Sequence, residues 1–285
     1  MPSLESFFNQ DWIVFSSIVI FLFGLCLGSF FNVCIWRIPR RESVISNPSH
    51  CPNCQSQIKW YDNIPVFSYL LLMGKCRACK IKISPRYIMV ELITAVFFLI
   101  DYLRVVNSEQ SFPTLIIYLL ATSLVILTFL IDIKHKIIPD KINYTIIVLA
   151  LITAFSLPES VGRNSHISGL ENSLLGFIVS VLLLGSFSFI GKKLFRKDIL
   201  GWGDVKYLGA VGACFGLIPA VWFFTLFIGA IFGLIFGVAL ILFRGKNIYS
   251  ELPFGPFLAI GTYLWILCGP ELTEGYFSII SSFAF

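Results

Sequence analysis

The chain has 285 residues, of which 57% are hydrophobic and 13% are charged, and its formal net charge is +5. A water-soluble protein carries about 25% charged residues, so this composition excludes a soluble globular enzyme. It indicates instead an all-α polytopic membrane protein, for which we expect membrane lipid but no nucleic acid as a partner.

Long apolar runs predict the membrane-spanning helices, because a helix needs about 20 apolar residues to cross a bilayer. Only Pro219 separates the sixth run from the seventh, so a broken or re-entrant pair, and hence seven spans, is an alternative to eight. No internal repeat stands out. The eight runs are 12–36, 87–103, 114–131, 142–157, 173–191, 204–217, 219–243 and 256–277.

Basic residues predict the orientation of these spans, because Lys and Arg concentrate in cytoplasmic loops. If the N-terminus lies outside, 19 of the 21 Lys and Arg residues fall in cytoplasmic segments. Eight spans then place both termini outside as well. The cytoplasmic segments are 37–86, 132–141, 192–206 and 244–255.

Four cysteines in the segment 37–86 form two Cys-x-x-Cys pairs, Cys51 with Cys54 and Cys76 with Cys79. Two such pairs at this separation predict a tetrathiolate zinc site, which is structural because no coordination position stays open. A loop of about 50 residues is too small for a stable core and needs such a staple. A redox dithiol pair is the alternative, while disulfides are disfavoured in the cytoplasm.

Two aspartates lie where apolar runs meet basic, polar segments on the predicted cytoplasmic side. Asp132 ends the third run, where the helix macrodipole disfavours an anion. Asp204 precedes the sixth run within Gly201-Trp-Gly-Asp, where it is either a helix N-cap or a functional carboxylate. The flanking glycines allow close approach of a substrate backbone or of a neighbouring helix. Asp140, which follows Pro139, is interpreted as an N-cap.

Asp132 and Asp204 on the same side of the membrane suggest an aspartic-protease dyad, in which two carboxylates share one proton. One ionised carboxylate activates a water molecule, and its protonated partner polarises the scissile carbonyl. The chain contains no His-Glu-x-x-His pattern and no Gly-x-Ser-x-Gly pattern, so metalloprotease and serine hydrolase motifs are absent.

Six motifs, in order, resemble those of the bacterial type IV prepilin leader peptidases, membrane aspartic proteases of the Gly-x-Gly-Asp class. The first is Gly28-Ser-Phe-Phe-Asn-Val-Cys-Ile-Trp-Arg-Ile-Pro39, and the double Cys-x-x-Cys loop follows it. The others are Ile83-Ser-Pro-Arg-Tyr-Ile-Met-Val-Glu91, the segment from Asp132 to Asp140, Gly201-x-Gly-Asp204-x-Lys206, and Leu252-Pro-Phe-Gly-Pro-Phe257.

The resemblance implies an enzyme of the bacterial inner membrane that cleaves the basic leader of type IV prepilins and type II secretion pseudopilins. It implies that Asp132 and Asp204 are catalytic and that the four loop cysteines hold zinc. It also implies methylation of the new N-terminal residue, with S-adenosylmethionine as donor. The corresponding regions are a first helix at 12–36, a zinc-binding loop at 37–86 and a peptidase domain at 87–285.

Other acidic residues have weaker interpretations. Glu91 lies within an apolar run and is expected to pair with Arg86. A contribution to holding the basic leader is a weak hypothesis for Glu42, Asp62 and Glu251. The alternative function is a transporter or channel with a zinc-stapled loop and an aspartate path for protons or cations, but it predicts mid-span charges and an internal repeat that the sequence lacks.

Overall fold

The computed structural model describes residues 10–46, 48–196, 201–244 and 253–283, and the regular structure within these ranges is helical. Short 3₁₀ turns and two isolated β-bridges are the other elements in this part of the chain. The prediction of an all-α fold is confirmed. The α-helices are α1 (Gln10–Arg37), α2 (Phe67–Leu71), α3 (Arg86–Asn107), α4 (Phe112–His135), α5 (Asp140–Ser156), α6 (His166–Phe195), α7 (Trp202–Phe215), α8 (Pro219–Arg244) and α9 (Gly255–Phe283).

The long helices, which are all of these except α2, overlap the predicted apolar runs. Four of them, α1, α4, α6 and α8, are long and apolar enough to cross a membrane, and α9 has a shorter apolar part, Gly255–Gly269. Helix α7 has 14 residues, which span about 21 Å at 1.5 Å per residue. This is less than the roughly 30 Å of a hydrocarbon core. A membrane protein is therefore confirmed, while eight crossings stay a prediction.

The sixth and seventh apolar runs form two separate helices. Gly216 follows α7 with a φ of 74°, a conformation that favours glycine. The side chain of Asn172 occupies the space that a Cβ at Gly216 would need, and it accepts the N–H of Leu217 at 3.2 Å. Pro219 then begins α8, in keeping with the preference for proline in the first turn of a helix.

The chain divides into two compact units between Ser108 and Glu109. The first unit contains α1, α2, α3 and the cysteine segment, and the second contains α4 to α9. In the first unit, α1 and α3 pack antiparallel, with Gly24 against Ala95 and Gly28 against Glu91. The domain boundaries expected from the sequence stay a prediction.

In the second unit, small residues bring α7 close to α6. The backbones approach at Gly176 and Gly212, and the hydroxyl of Ser173 donates to the carbonyl of Ala213 at 2.6 Å. The buried hydroxyl of Tyr207, one turn beyond Asp204, donates to Thr262 of α9 at 3.0 Å. Small side chains and interhelical hydrogen bonds are the usual means by which membrane helices associate. They position the first turn of α7 relative to α6 and α9.

Candidate active site and cysteine cluster

Asp132 lies in the last turn of α4 and its side chain is buried, with the residue 4% exposed. Helix α4 ends with Lys136 in the left-handed conformation, and the N–H of Lys136 donates to the Asp132 carbonyl at 2.8 Å. The end of a helix that carries a partial negative charge disfavours a carboxylate. A compensating partner is therefore needed.

The first residue of α9 supplies that partner. The backbone N–H of Gly255 donates to Oδ2 of Asp132 at 3.1 Å. An N–H at a helix N-terminus stabilises an anion because it is unpaired within the helix and lies at the positive end of the dipole. Sequence reasoning did not assign this role to Gly255. The available signal was the pattern Pro253-Phe-Gly-Pro256, which is typical of a helix start.

Asp204 is the third residue of α7 and is 9% exposed. Its Oδ2 accepts the backbone N–H of Gly201 at 3.2 Å, and Gly201 is the N-cap of the helix. The N-cap of α7 is therefore Gly201 and not Asp204, which lies three residues later. The Asp204 side chain nevertheless accepts the N–H of the N-cap residue, which is one of the two hydrogen bonds of a capping box.

The two carboxylates are close enough for their charges to interact. Each has one oxygen atom, Oδ2, engaged by the N–H of a glycine at the start of a helix. The fold therefore brings together the two aspartates that the sequence separates by more than 70 residues. Both side chains are shielded from water, which strengthens their interaction.

Ile138 packs beside Gly203, the neighbour of Asp204, and beside Gly255, which binds Asp132. A Cβ atom added at Gly203 would lie 3.1 Å from Cβ of Ile138, and one added at Gly255 would lie 3.0 Å from Cδ1 of Ile138 and 2.7 Å from Oδ2 of Asp132. Gly203 therefore serves close packing against the connection between α4 and α5. No sequence pattern distinguishes Ile138 from Ile137, the adjacent apolar residue in that connection.

Asp140 does not cap α5. The N-cap is Pro139, and Asp140 is the first helical residue with no side-chain cap hydrogen bond. Its Oδ1 instead lies 2.7 Å from Nζ of Lys206, the fifth residue of α7. The interpretation of Asp140 as an N-cap was wrong, and its side chain forms an ion pair beside the aspartate pair.

The four cysteines of the first unit form one cluster. The sulfur atoms of Cys51, Cys54, Cys76 and Cys79 all lie within 4.8 Å of one another, and those of Cys51 and Cys79 are 3.8 Å apart. A Zn–S bond of about 2.3 Å in a tetrahedral site gives sulfur separations of about 3.8 Å. The donor set and its spacing therefore fit a tetrathiolate metal centre.

The two Cys-x-x-Cys turns are built alike, with an offset of 25 residues. In the first turn, the N–H of Cys51 donates to the carbonyl of Ser56, and the N–H of Gln55 donates to the carbonyl of Cys51. The second turn has the same two hydrogen bonds, with Cys76, Ile81 and Lys80 in the equivalent positions. Gln55 and Lys80 both have a positive φ. The segment thus contains a structural repeat that sequence reasoning missed. The equivalent pairs are Cys51 and Cys76, Gln55 and Lys80, Ser56 and Ile81, and Ile58 and Ile83.

Polar contacts around the cluster favour the thiolate form of Cys54 and order the loop. The hydroxyl of Ser56 lies 2.9 Å from Sγ of Cys54 and lowers the pKa of that thiol to about 6.

Arg77 and Asp62 form an ion pair within the loop. Arg77 donates from Nε and Nη2 to the carboxylate, with a shortest contact of 2.6 Å, and lowers the pKa of the Asp62 carboxyl. Asp62 is therefore engaged within the loop, and Glu251 lies outside the described residues.

Glu91 is buried on α3 and has a different partner from the one expected. Its Oε2 accepts the backbone N–H of Val66 at 2.8 Å, and the side chain of Ser29 also hydrogen-bonds to it. The prediction that Glu91 pairs with Arg86 was wrong. Its carboxylate holds the loop against the helix pair formed by α1 and α3.

Comparisons with known proteins agree with these features. The family model described as "Bacterial Peptidase A24 N-terminal domain" matches residues 22–105, and that of the "Type IV leader peptidase family" matches residues 118–238. The prepilin leader peptidase/N-methyltransferase of Aeromonas salmonicida is 33% identical, over 97% of this chain and 98% of the relative. The corresponding enzyme of Xanthomonas campestris pv. campestris is 31% identical, over 89% and 91%.

A further relative is the type 4 prepilin-like proteins leader peptide-processing enzyme of Escherichia coli O78:H11, which is 34% identical over 84% of this chain and 88% of its own. No solved structure gives a significant match. Similarity that extends over nearly the whole length of both proteins goes beyond a shared motif. The chain therefore belongs to the type IV leader peptidase family of bacteria.

Proposed function

We propose that the protein is a membrane aspartic endopeptidase that removes the basic leader of type IV prepilins and type II secretion pseudopilins, and that it N-methylates the new N-terminus. Asp132 and Asp204 are the catalytic pair. The observation that carries this proposal is that two buried carboxylates, one at the end of α4 and one at the start of α7, lie within range of each other's charge. The names of the relatives, which refer to prepilins and prepilin-like proteins, support the substrate class.

The geometry suits acid–base catalysis by a shared proton. Because each carboxylate lies within range of the other's charge, ionisation of one disfavours ionisation of the other, so that one serves as a base while the other serves as an acid. The glycine N–H groups hold one oxygen of each carboxylate in place. The other oxygens then serve the reaction: the ionised group takes a proton from water as it attacks the scissile carbonyl, and the protonated group donates to the carbonyl oxygen.

The placement of the pair suits a prepilin. This substrate has a basic leader followed by an apolar helix, so its cleavage site lies at the membrane boundary. We place both aspartates at the cytoplasmic face of the bacterial inner membrane, with eight crossings and both termini periplasmic. The distribution of Lys and Arg supports this orientation. Reporter fusions after Ser108 and Asn164 should behave as periplasmic, and one after Lys82 as cytoplasmic.

We assign zinc to the cluster of Cys51, Cys54, Cys76 and Cys79, where it supplies structural cross-linking of the loop. S-adenosylmethionine is the methyl donor that the N-methyltransferase names of the relatives suggest. We assign no residue to the donor. The transporter or channel hypothesis receives no support from the family to which the chain belongs.

The direct test is co-expression with a prepilin and mass spectrometry of the pilin N-terminus. Wild-type enzyme should yield a shortened, methylated pilin. Asp132→Asn and Asp204→Asn should each leave the leader attached, because an amide keeps the shape but cannot share the proton. The control is Asp140→Asn, which should cleave. Cleavage by either dyad variant, with the protein present in the membrane, would refute the assignment.

A further inference from the structure

The loop that carries the cysteine cluster has an exposed apolar ridge, which we define as Phe67, Leu70, Leu71 and Met73. All four side chains are exposed, and Leu71 and Met73 are 81% and 84% exposed. Contiguous exposed apolar side chains mark a surface that meets a protein or a membrane. Exposure of these four apolar side chains to water would be unfavourable if the whole loop were surrounded by water.

Glu91 fixes the position of the ridge relative to α3. The residue before α2, Val66, has a φ of 62°, which is unfavourable for a β-branched side chain. Its N–H is held by the carboxylate of Glu91 at 2.8 Å. Glu91 lies five residues into α3, about 7 Å along the helix axis, and its side chain is tilted towards the N-terminus. Helix α2 therefore begins beside the first turns of α3.

The register of α1 against α3 gives the depth of this contact in the membrane. Glu91 packs against Gly28 of α1, and α1 belongs to a candidate span that extends from Asp11 to Arg40. Gly28 lies about 12 Å along the helix from Trp36, at 1.5 Å per residue. A Trp near the end of a span marks the interface. The contact between Glu91 and Gly28 therefore lies deeper in the bilayer than Trp36.

The residues near the ridge include aromatic and basic side chains, the types that concentrate at a membrane interface. Trp60 and Tyr61 form a T-shaped pair with ring centroids 5.6 Å apart, and aromatic side chains of this kind concentrate at the level of lipid headgroups. Three exposed lysines follow the ridge, namely Lys75, Lys80 and Lys82. Such a basic group attracts the anionic lipids of the cytoplasmic leaflet.

We propose that the segment from Trp60 to Met73 docks in the cytoplasmic interface of the bilayer, with the apolar ridge in contact with acyl chains and the lysines at anionic headgroups. The occupant of this surface is phospholipid. The loop is then a membrane-seated element, and the contact between Glu91 and Val66 sets its depth. The distribution of Lys and Arg assigns the segment 37–86 to the cytoplasmic side, and this proposal adds a membrane contact to it.

Fluorescence quenching by lipids brominated on their acyl chains tests the proposal in the full-length protein reconstituted in vesicles. The matched pair of variants is Leu71→Trp and Ile45→Trp. Ile45 is 91% exposed in the same cytoplasmic segment but follows the end of α1. Both variants have the same number of tryptophans, so the difference between them reports the new residue. We expect a larger loss of fluorescence for Leu71→Trp, and equal losses would overturn the proposal.

A photo-crosslinking amino acid at position 71 distinguishes lipid from substrate as the occupant. The full-length protein is irradiated in vesicles of phosphatidylethanolamine and phosphatidylglycerol, with an inactive Asp204→Asn background and an added prepilin. An adduct with the mass of one phospholipid supports the proposal. An adduct with the prepilin would show that the ridge receives the substrate helix and would overturn it. The outcome is independent of peptidase activity, so it is separable from the proposed function.

Discussion

Nζ of Lys206 lies 2.7 Å from Oδ1 of Asp140, and this contact joins the N-terminal part of α7 to the first residue of α5. Lys206 follows Asp204 by two residues, and Asp140 begins α5, directly after the short connection that leaves α4, the helix of Asp132. The ion pair therefore links the segments that carry the two proposed catalytic carboxylates. It is a positioning contact, and both side chains are partly exposed.

Lys206→Met and Asp140→Asn should each reduce prepilin cleavage by no more than severalfold. An exposed ion pair contributes up to about 1 kcal/mol, which is about fivefold in rate. If the pair acts as one unit, the double variant should be no slower than the slower single variant. Cleavage kinetics of the four proteins measure this, with Lys141→Met as the control for loss of one positive charge. Additive losses would mean that the two residues act separately.

Gly255→Ala should slow cleavage by about 10- to 100-fold, the effect expected of a misplaced catalytic group. A Cβ atom at this position would lie 2.7 Å from Oδ2 of Asp132, so the carboxylate or the start of α9 must shift. The loss should appear in kcat. Gly237→Ala is the matched control, because a Cβ there meets nothing within 4 Å. Equal activity of the two folded variants would show that the Gly255 contact is not needed.

Glu91→Ala should increase the rate at which trypsin cuts the loop in detergent solution. The variant leaves the N–H of Val66 without its acceptor, and an unsatisfied buried group costs about 1–3 kcal/mol. Glu91→Gln keeps an acceptor oxygen and should resist trypsin nearly as well as the wild type. Peptide mapping of the digestion products would locate the first cuts. If Glu91→Ala is cut no faster, the loop is held by other contacts.

Cys51→Ser should lower the zinc content of the purified protein and expose the loop to proteolysis. A tetrathiolate site needs four ligands, and the loop is too small to fold without its staple. Elemental analysis measures the metal directly. Cys26→Ser, which changes an exposed cysteine in α1, is the control and should retain the wild-type zinc content. Unchanged zinc in Cys51→Ser would contradict the assignment.

The sequence by itself determined the features that depend on local pattern. Apolar runs located the long helices, since burial in lipid requires a continuous apolar surface. The spacing of Cys51, Cys54, Cys76 and Cys79 was sufficient to predict their convergence, because two short turns are enough to present four sulfur atoms to one centre. The six motifs between Gly28 and Phe257, taken in order, were sufficient to identify the family.

Only the tertiary structure decided which groups these residues meet. The Asp132 carboxylate receives the N–H of Gly255, which lies 123 positions away in the chain, and no local pattern encodes that pairing. Asp140 and Glu91 were each assigned a partner near in sequence, whereas both bind groups on other segments. The reason is physical: a buried or interfacial carboxylate binds the nearest available donor. Helix packing brings that donor close, whatever its distance along the chain.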